Sequence, residues 1–250
     1  MKEYSTKTIF KDSWAQYVVF WKSLFKLNLV TLLITIAVFI PIVFFIGALF
    51  VLTLSSLHLL ASILLCILFV GLMVISILAK IWMQYTAWKL VHGENISVRE
   101  AVFSKETFST TCRGLKIGLL YGLGTLVGLF LLIIPGVIFA IRHAFALFIY
   151  FEKNVPWKES FRQSRALTKG RGWWIFWKLL CIIAIPFFFG IFLGLFKGDG
   201  TVLGTVIQLL FTIAFVGFQF LYMLKLYEYL KKAAVKTDKE ISEEAATELA

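Results

Sequence analysis

Lys158, Arg162, Arg165 and Lys169 recur at i, i+4, i+7 and i+11, which places all four on one narrow stripe of a helix. Like charges four residues apart repel, so the stripe costs stability unless an anion lies against it. Anionic lipid phosphates supply that anion at a membrane surface, at about 1 kcal/mol per basic residue. Two readings stand: a site for anionic headgroups, or a general excess of positive charge on one side of a membrane. Trp157, Phe161, Ser164 and Thr168, extended by Leu167, form the adjacent face. Pro156 sits where such a helix begins and Gly170 where it ends.

Arg142, followed by His143, is the only basic residue in the apolar run from Ile117 to Phe151. An arginine inside a membrane is expensive and marks a candidate functional site by default. It lies six residues past Gly136, about 9 Å along a helix. No span holds an acidic partner, which leaves carbonyls freed by Pro135, Gln208, Asp199 or a lipid phosphate. The expectation is that Arg142 faces the bundle interior beside a Pro135–Gly136 turn, the three residues forming an intramembrane polar site. The alternative is an ordinary arginine snorkelling to the headgroups.

Glycines recur at Gly114, Gly118 and Gly122, then at Gly124 and Gly128, and again at Gly190 and Gly194. Stripes of small residues let membrane helices approach closely. A substrate path lined by these glycines is the other reading. Enzyme signatures are missing: His58, His92 and His143 have no carboxylate or cysteine nearby, and there is no Walker A loop, HExxH, GxSxG or acidic pair. Cys66, Cys112 and Cys181 form no CxxC pair, which argues against zinc and a disulfide framework. No cofactor is expected.

The elements that must position these residues are membrane spans. Between Lys26 and Lys80 lie 53 residues without one Asp, Glu, Lys or Arg. A spanning helix needs about 20 apolar residues, so this run holds two. The chain is 60% hydrophobic with 26 Phe and 8 Trp, which suits a lipid-facing surface. The six predicted spans are 27–52, 57–79, 117–134, 137–151, 175–196 and 201–224. The fold class is all-α: a polytopic membrane protein whose six helices form three hairpins, with amphipathic interfacial helices on the cytoplasmic side. Residues 1–26 are an amphipathic N-terminal segment, 27–230 the membrane domain and 231–250 a polar tail. The N-terminus does not read as a secretory signal.

Lys and Arg crowd the two flanks and the two long connections, while the three short connections together hold only Lys197. The positive-inside rule then puts both termini in the cytoplasm of a multi-pass cell-membrane protein. The net charge of +11 reflects this bias and contact with anionic lipid, so nucleic acid is not an expected partner. Spacing at Ser97–Glu100 predicts a capping box, His92–Gly93 a helix end, and Thr53–His58 a turn. The Asn95-Ile96-Ser97 sequon is discounted as cytoplasmic. A weak repeat links Phe10–Trp14, Val98–Val102 and Trp157–Phe161, each apolar, basic, acidic, small, apolar. It suggests three units, each an interfacial helix followed by a hairpin.

The stretch from Leu131 to Leu180 resembles the membrane domain attached to some bacterial glycerophosphodiester phosphodiesterases, and small stand-alone six-helix proteins. Pro135-Gly136, Arg142, Glu152, Ser164 and Lys169-Gly170 before a Trp-rich helix carry the resemblance. The catalytic domain with its metal-binding acids has no counterpart, so the resemblance implies no enzymatic activity and only loosely a partner in lipid or envelope metabolism. The leading expectation is a non-enzymatic integral membrane protein engaging anionic lipids, a membrane partner or a second copy of itself. The alternative is a transporter or permease subunit with a path near the third to fifth helices. A membrane-embedded enzyme acting on headgroups comes third.

Overall fold

Apolar stretches of this length can pair every backbone N–H and C=O without water only as helices or closed barrels. Helix is what the chain forms. A computed structural model describes residues 5–52, 58–92, 98–196 and 202–248. Among them are nine helices and no strand: α1 (Thr6–Leu52), α2 (His58–Val91), α3 (Val98–Phe103), α4 (Lys105–Leu131), α5 (Ile133–His143), α6 (Ala146–Lys153), α7 (Trp157–Thr168), α8 (Gly172–Phe196) and α9 (Val202–Glu248).

Five segments among the described residues are long and apolar enough to cross a membrane: Thr6–Ile34, Lys105–Leu131, Ile133–Lys153, Gly172–Gly194 and Val206–Val235. The predicted span 57–79 falls on α2, where many side chains lie outside the described residues. Large apolar side chains point outward along α8, including Ile183, Phe187, Phe188 and Phe192. Soluble proteins rarely leave contiguous patches of this kind bare. The chain is thus built as a multi-pass membrane protein.

The helices divide into two units, Met1–Lys22 with Tyr121–Ala250, and Ser23–Leu120. In the second unit, α3 packs on α2. Trp82 Nε1 donates to the Val102 carbonyl at 3.1 Å, and Lys89 Nζ pairs with Glu106 at 2.5 Å. Ser104 ends α3 and caps α4, its Oγ accepting from the Thr107 amide at 3.1 Å. In the first unit, the start of α1 packs on α9. Tyr17 donates to the Ala214 carbonyl at 3.0 Å, and Phe10, Trp14 and Tyr17 surround Phe218. Tyr229 donates to Asp12. The buried Lys178 of α8 donates to Thr6 Oγ1 and lies 5.0 Å above the Trp174 ring.

Several boundaries depart from the sequence reading. α1 runs without a break from Thr6 into the first predicted span, because no Gly or Pro between Thr6 and Leu27 stops the helix. The helix expected from Ile117 begins at Lys105, where Ser104 caps it. The reversal expected at Pro135–Gly136 occurs at Leu132, whose φ of −161° and ψ of 138° are extended. Pro135 then falls in the first turn of α5, where a missing N–H costs nothing. The predicted fourth span is broken between α5 and α6 at Ala144–Phe145. The polar tail, by contrast, is the helix expected of it: α9 continues to Glu248, as its Ala/Glu/Lys content favours.

Of the three repeat motifs, those at Val98 and Trp157 open α3 and α7, whereas Phe10–Trp14 lies inside α1. Ser13 and Ser160, which share a motif position, are both fully buried. The predicted turn at 53–57, the cap at Gly93, the sequon, the capping residue Ser97, and Lys197 and Asp199 lie outside the described residues.

Candidate functional site at the junction of α5, α6 and α7

Neither glycine nor proline marks the break after His143. The Ala144 amide bonds back to the Ile141 carbonyl at a stretched 3.5 Å, and the α-helical ladder stops. This strips the Arg142 carbonyl of its intrahelical partner. Ser164 Oγ replaces it at 2.9 Å, and Thr168 Oγ1 approaches the same oxygen at 3.5 Å. Both hydroxyls come from α7 and both residues are buried. A buried carbonyl left unpaired costs about 1–3 kcal/mol, so these hydroxyls make the break tolerable.

α7 can supply them because of its periodicity. Ser160, Ser164 and Thr168 lie one turn apart and form its buried stripe, with Phe161 beside them. The Phe161 ring lies tilted at 4.9 Å from the buried His143 ring, whose Nδ1 is 2.9 Å from the Phe139 carbonyl. Pro156 caps the helix at its start. At its end Gly170 takes φ +74°, and the Arg171 amide returns to the Thr168 carbonyl at 3.1 Å. That left-handed residue turns the chain into α8, which opens with Trp173, Trp174 and Trp177.

Lys158, Arg162 and Arg165 are exposed on the face of α7 away from the buried hydroxyls, and Lys169, just past the helix end, is exposed too. Glu159 is the one acid on the helix. It pairs with Arg162 at 2.8 Å, and the hydrogen bonds from Arg162 and Gln163 hold its carboxyl below the usual range. Lys158 Nζ lies 5.4 Å over the Trp157 ring. Among the described residues, Arg162 is the one member of the four that forms an ion pair.

Arg142 departs from expectation. The residue is exposed, and its guanidinium has no partner among the described residues. It does not face the bundle interior; what the fold holds is its carbonyl. Gln208, a suggested partner, lies against Gly190. Pro135 and Gly136 sit far along α5 from it and belong to the α4–α5 turn.

The glycines separate by position. Gly114 is buried, and a Cβ on Gly118 would meet Ile81 at 2.8 Å. Cβ atoms on Gly124 and Gly128 would strike Phe139 at 2.4 Å and Gly136 Cα at 2.7 Å, so those two admit α5 against α4. Gly122 and Gly194 meet nothing within 4 Å, and Gly190 has only an ordinary contact. The i,i+4 pattern thus marks a close approach at some members and not at others.

Sequence reasoning missed one anchor. Glu152, at the end of α6, accepts from Tyr227 at 2.5 Å and pairs with Lys231. Phe145 and Phe148 stack on the same Tyr227 ring, which locks α6 to α9. Its place as the first acidic residue after the apolar run that ends at Phe151 was the one hint. Among the described residues no cluster of three His, Cys, Asp or Glu could hold a metal, and Cys112 and Cys181 are free thiols. The chain matches no protein-family model, no curated protein and no solved structure.

Proposed function

We propose that this chain is a non-enzymatic integral membrane protein that engages anionic lipid headgroups through α7, with both termini in the cytoplasm. One observation carries the reading: Lys158, Arg162 and Arg165 are exposed on one face of α7, with the exposed Lys169 directly after its end, while the Ser164 and Thr168 hydroxyls hold the other side to the Arg142 carbonyl. Clamping holds the like charges together although they repel. A row of phosphates relieves that repulsion, and the Trp-rich start of α8 favours placing the row at a membrane–water boundary. The resemblance of Leu131–Leu180 to a phosphodiesterase membrane domain suggests the same lipid setting.

The test replaces Lys158, Arg162, Arg165 and Lys169 with Gln and weighs the purified protein with its retained lipids by native mass spectrometry. Loss of phosphatidylglycerol and cardiolipin, with insertion intact, supports the reading. Unchanged retention reduces the stripe to a topology signal.

A further inference from the structure

We propose that the α4–α5 hairpin enters the membrane and turns back inside the hydrocarbon, bedded in acyl chains without reaching the opposite surface. The turn itself is the first observation. Phe130, Leu131, Leu132, Ile133 and Ile134 are exposed at 92%, 72%, 68%, 72% and 73%. From Leu126 to Ile141 no side chain can make a hydrogen bond. A turn reaching the far headgroups would normally present polar residues there. The other two predicted turns do so, with Ser55, Ser56 and His58 in one and Lys197 and Asp199 in the other.

Depth is the second observation. The Arg142 carbonyl is bonded to Ser164 of α7, the polar helix whose other face carries the exposed Lys158, Arg162 and Arg165. Four residues past Thr168, α8 begins with its boundary-seeking tryptophans. The end of α5 is therefore pinned at the membrane surface. Ile133–Lys153 is long enough to cross only as a continuous helix; the break at Ala144–Phe145 leaves Ile133 to Ile141 with about 13 Å of apolar rise, and the charge-free part of α4, Ile117 to Leu131, gives about 22 Å, against a hydrocarbon core of about 30 Å. The neighbouring α8, at 25 residues, is about 37 Å long and crosses in full.

The backbone is the third. Irregular backbone inside hydrocarbon needs its polar groups paired. At Leu132, the one non-helical residue of the turn, the amide donates to the Gly128 carbonyl at 3.0 Å and the carbonyl accepts from the Gly136 amide at 3.4 Å, which pairs the extended residue itself, while the Ile133 and Ile134 amides and the last α4 carbonyls have no backbone partner across the turn among the described residues. Pro135 has no N–H to leave unpaired. Gly128 and Gly136 bring the two helices into backbone contact, making a narrow wedge. On this arrangement two of the six predicted crossings disappear while both termini stay on one side.

The test uses full-length protein with Cys66, Cys112 and Cys181 replaced by Ser and a single cysteine at Leu132→Cys or, in separate proteins, at Ile134→Cys or Gly198→Cys. A fluorophore on each, in phosphatidylglycerol/phosphatidylethanolamine vesicles, is quenched by lipids carrying a spin label at mid-chain or near the headgroup. Residues 132 and 134 should be quenched most by the mid-chain label, within about 7 Å of the midplane. Their thiols should react with a membrane-impermeant maleimide about tenfold or more slowly than Gly198→Cys, since the thiolate needs water. Strongest quenching from the headgroup label, or labelling as fast as Gly198→Cys, overturns the proposal. The depth argument rests on α7 lying at the membrane surface, as the headgroup reading has it; because the readout is depth and not lipid retention, a failure of either is seen separately.

Discussion

Removing the Ser164 hydroxyl tests whether α7 holds the α5–α6 break closed. Ser164→Ala keeps the side-chain volume nearly constant and deletes the 2.9 Å bond to the Arg142 carbonyl. A neutral hydrogen bond contributes about 1 kcal/mol net, and a buried unpaired carbonyl costs about 1–3 kcal/mol. Thr168 offsets part of this, but its Oγ1 is 3.5 Å from that carbonyl and already bonded within α7 to Ser164 O at 3.0 Å. The single variant should therefore lose about 1–2 kcal/mol, and Ser164→Ala with Thr168→Val about 2–3 kcal/mol. At about 2–4 °C per kcal/mol for a chain of this size, the single variant unfolds about 2–8 °C lower. Ser160→Ala is the control. Ser160 is equally buried, but its hydroxyl reaches only the nearby Val155 and Pro156 carbonyls, at 3.4 and 3.3 Å. Thermal unfolding in detergent, followed by tryptophan fluorescence, reads all three. Equal midpoints for Ser164→Ala and Ser160→Ala would refute the claim that the α7 hydroxyls repair the break.

Gly170→Ala should cost about 1 kcal/mol in the same assay, because φ +74° strains any Cβ although nothing lies within 4 Å of it; Gly170→Asn should cost less. Gly136→Ala drives a Cβ to 2.4 Å from the Leu129 amide nitrogen and should lose about 1–3 kcal/mol. Gly122→Ala, facing open space, should be neutral or gain up to about 1 kcal/mol from helix propensity. A double-mutant cycle on Glu152 and Lys231 should give a coupling of about 1 kcal/mol or less, since the lysine side chain is 48% exposed and screened by solvent. Glu159 is held below the usual carboxylate range, so its pairing with Arg162 is present above the unfolded carboxyl pKa and lost only as pH falls through the lower folded value. Lipid retention by α7 should accordingly stay flat from about pH 8 to 5, and a step inside that window would contradict the assignment.

Helical, membrane-spanning character was legible in the chain itself, because a long charge-free run leaves the backbone no other way to pair its polar groups. The ends of α7 were legible too: Pro156 and the left-handed Gly170 act through their own φ angles and need no distant partner. The spacing of Lys158, Arg162 and Arg165 puts them on one face of α7 at 3.6 residues per turn, but the helix ends at Thr168, so Lys169 lies just past that stripe. Tertiary structure decided the rest. The break after His143 depends on hydroxyls 22 and 26 residues away, and nothing at Ala144 or Phe145 announces it. Gly118, Gly122, Gly124 and Gly128 are one residue type in one helix, yet a neighbour's position makes three of them close contacts and leaves Gly122 bare. Arg142 looked like an interior cation when α5 and α6 were read as one continuous span. Once the helix breaks beside it and α7 takes its carbonyl, the side chain is left outside. Local caps, periodicity and composition act over a few residues and can be read in order along the chain. Which surfaces meet is a property of the packed helices, and it decided the shape of this site.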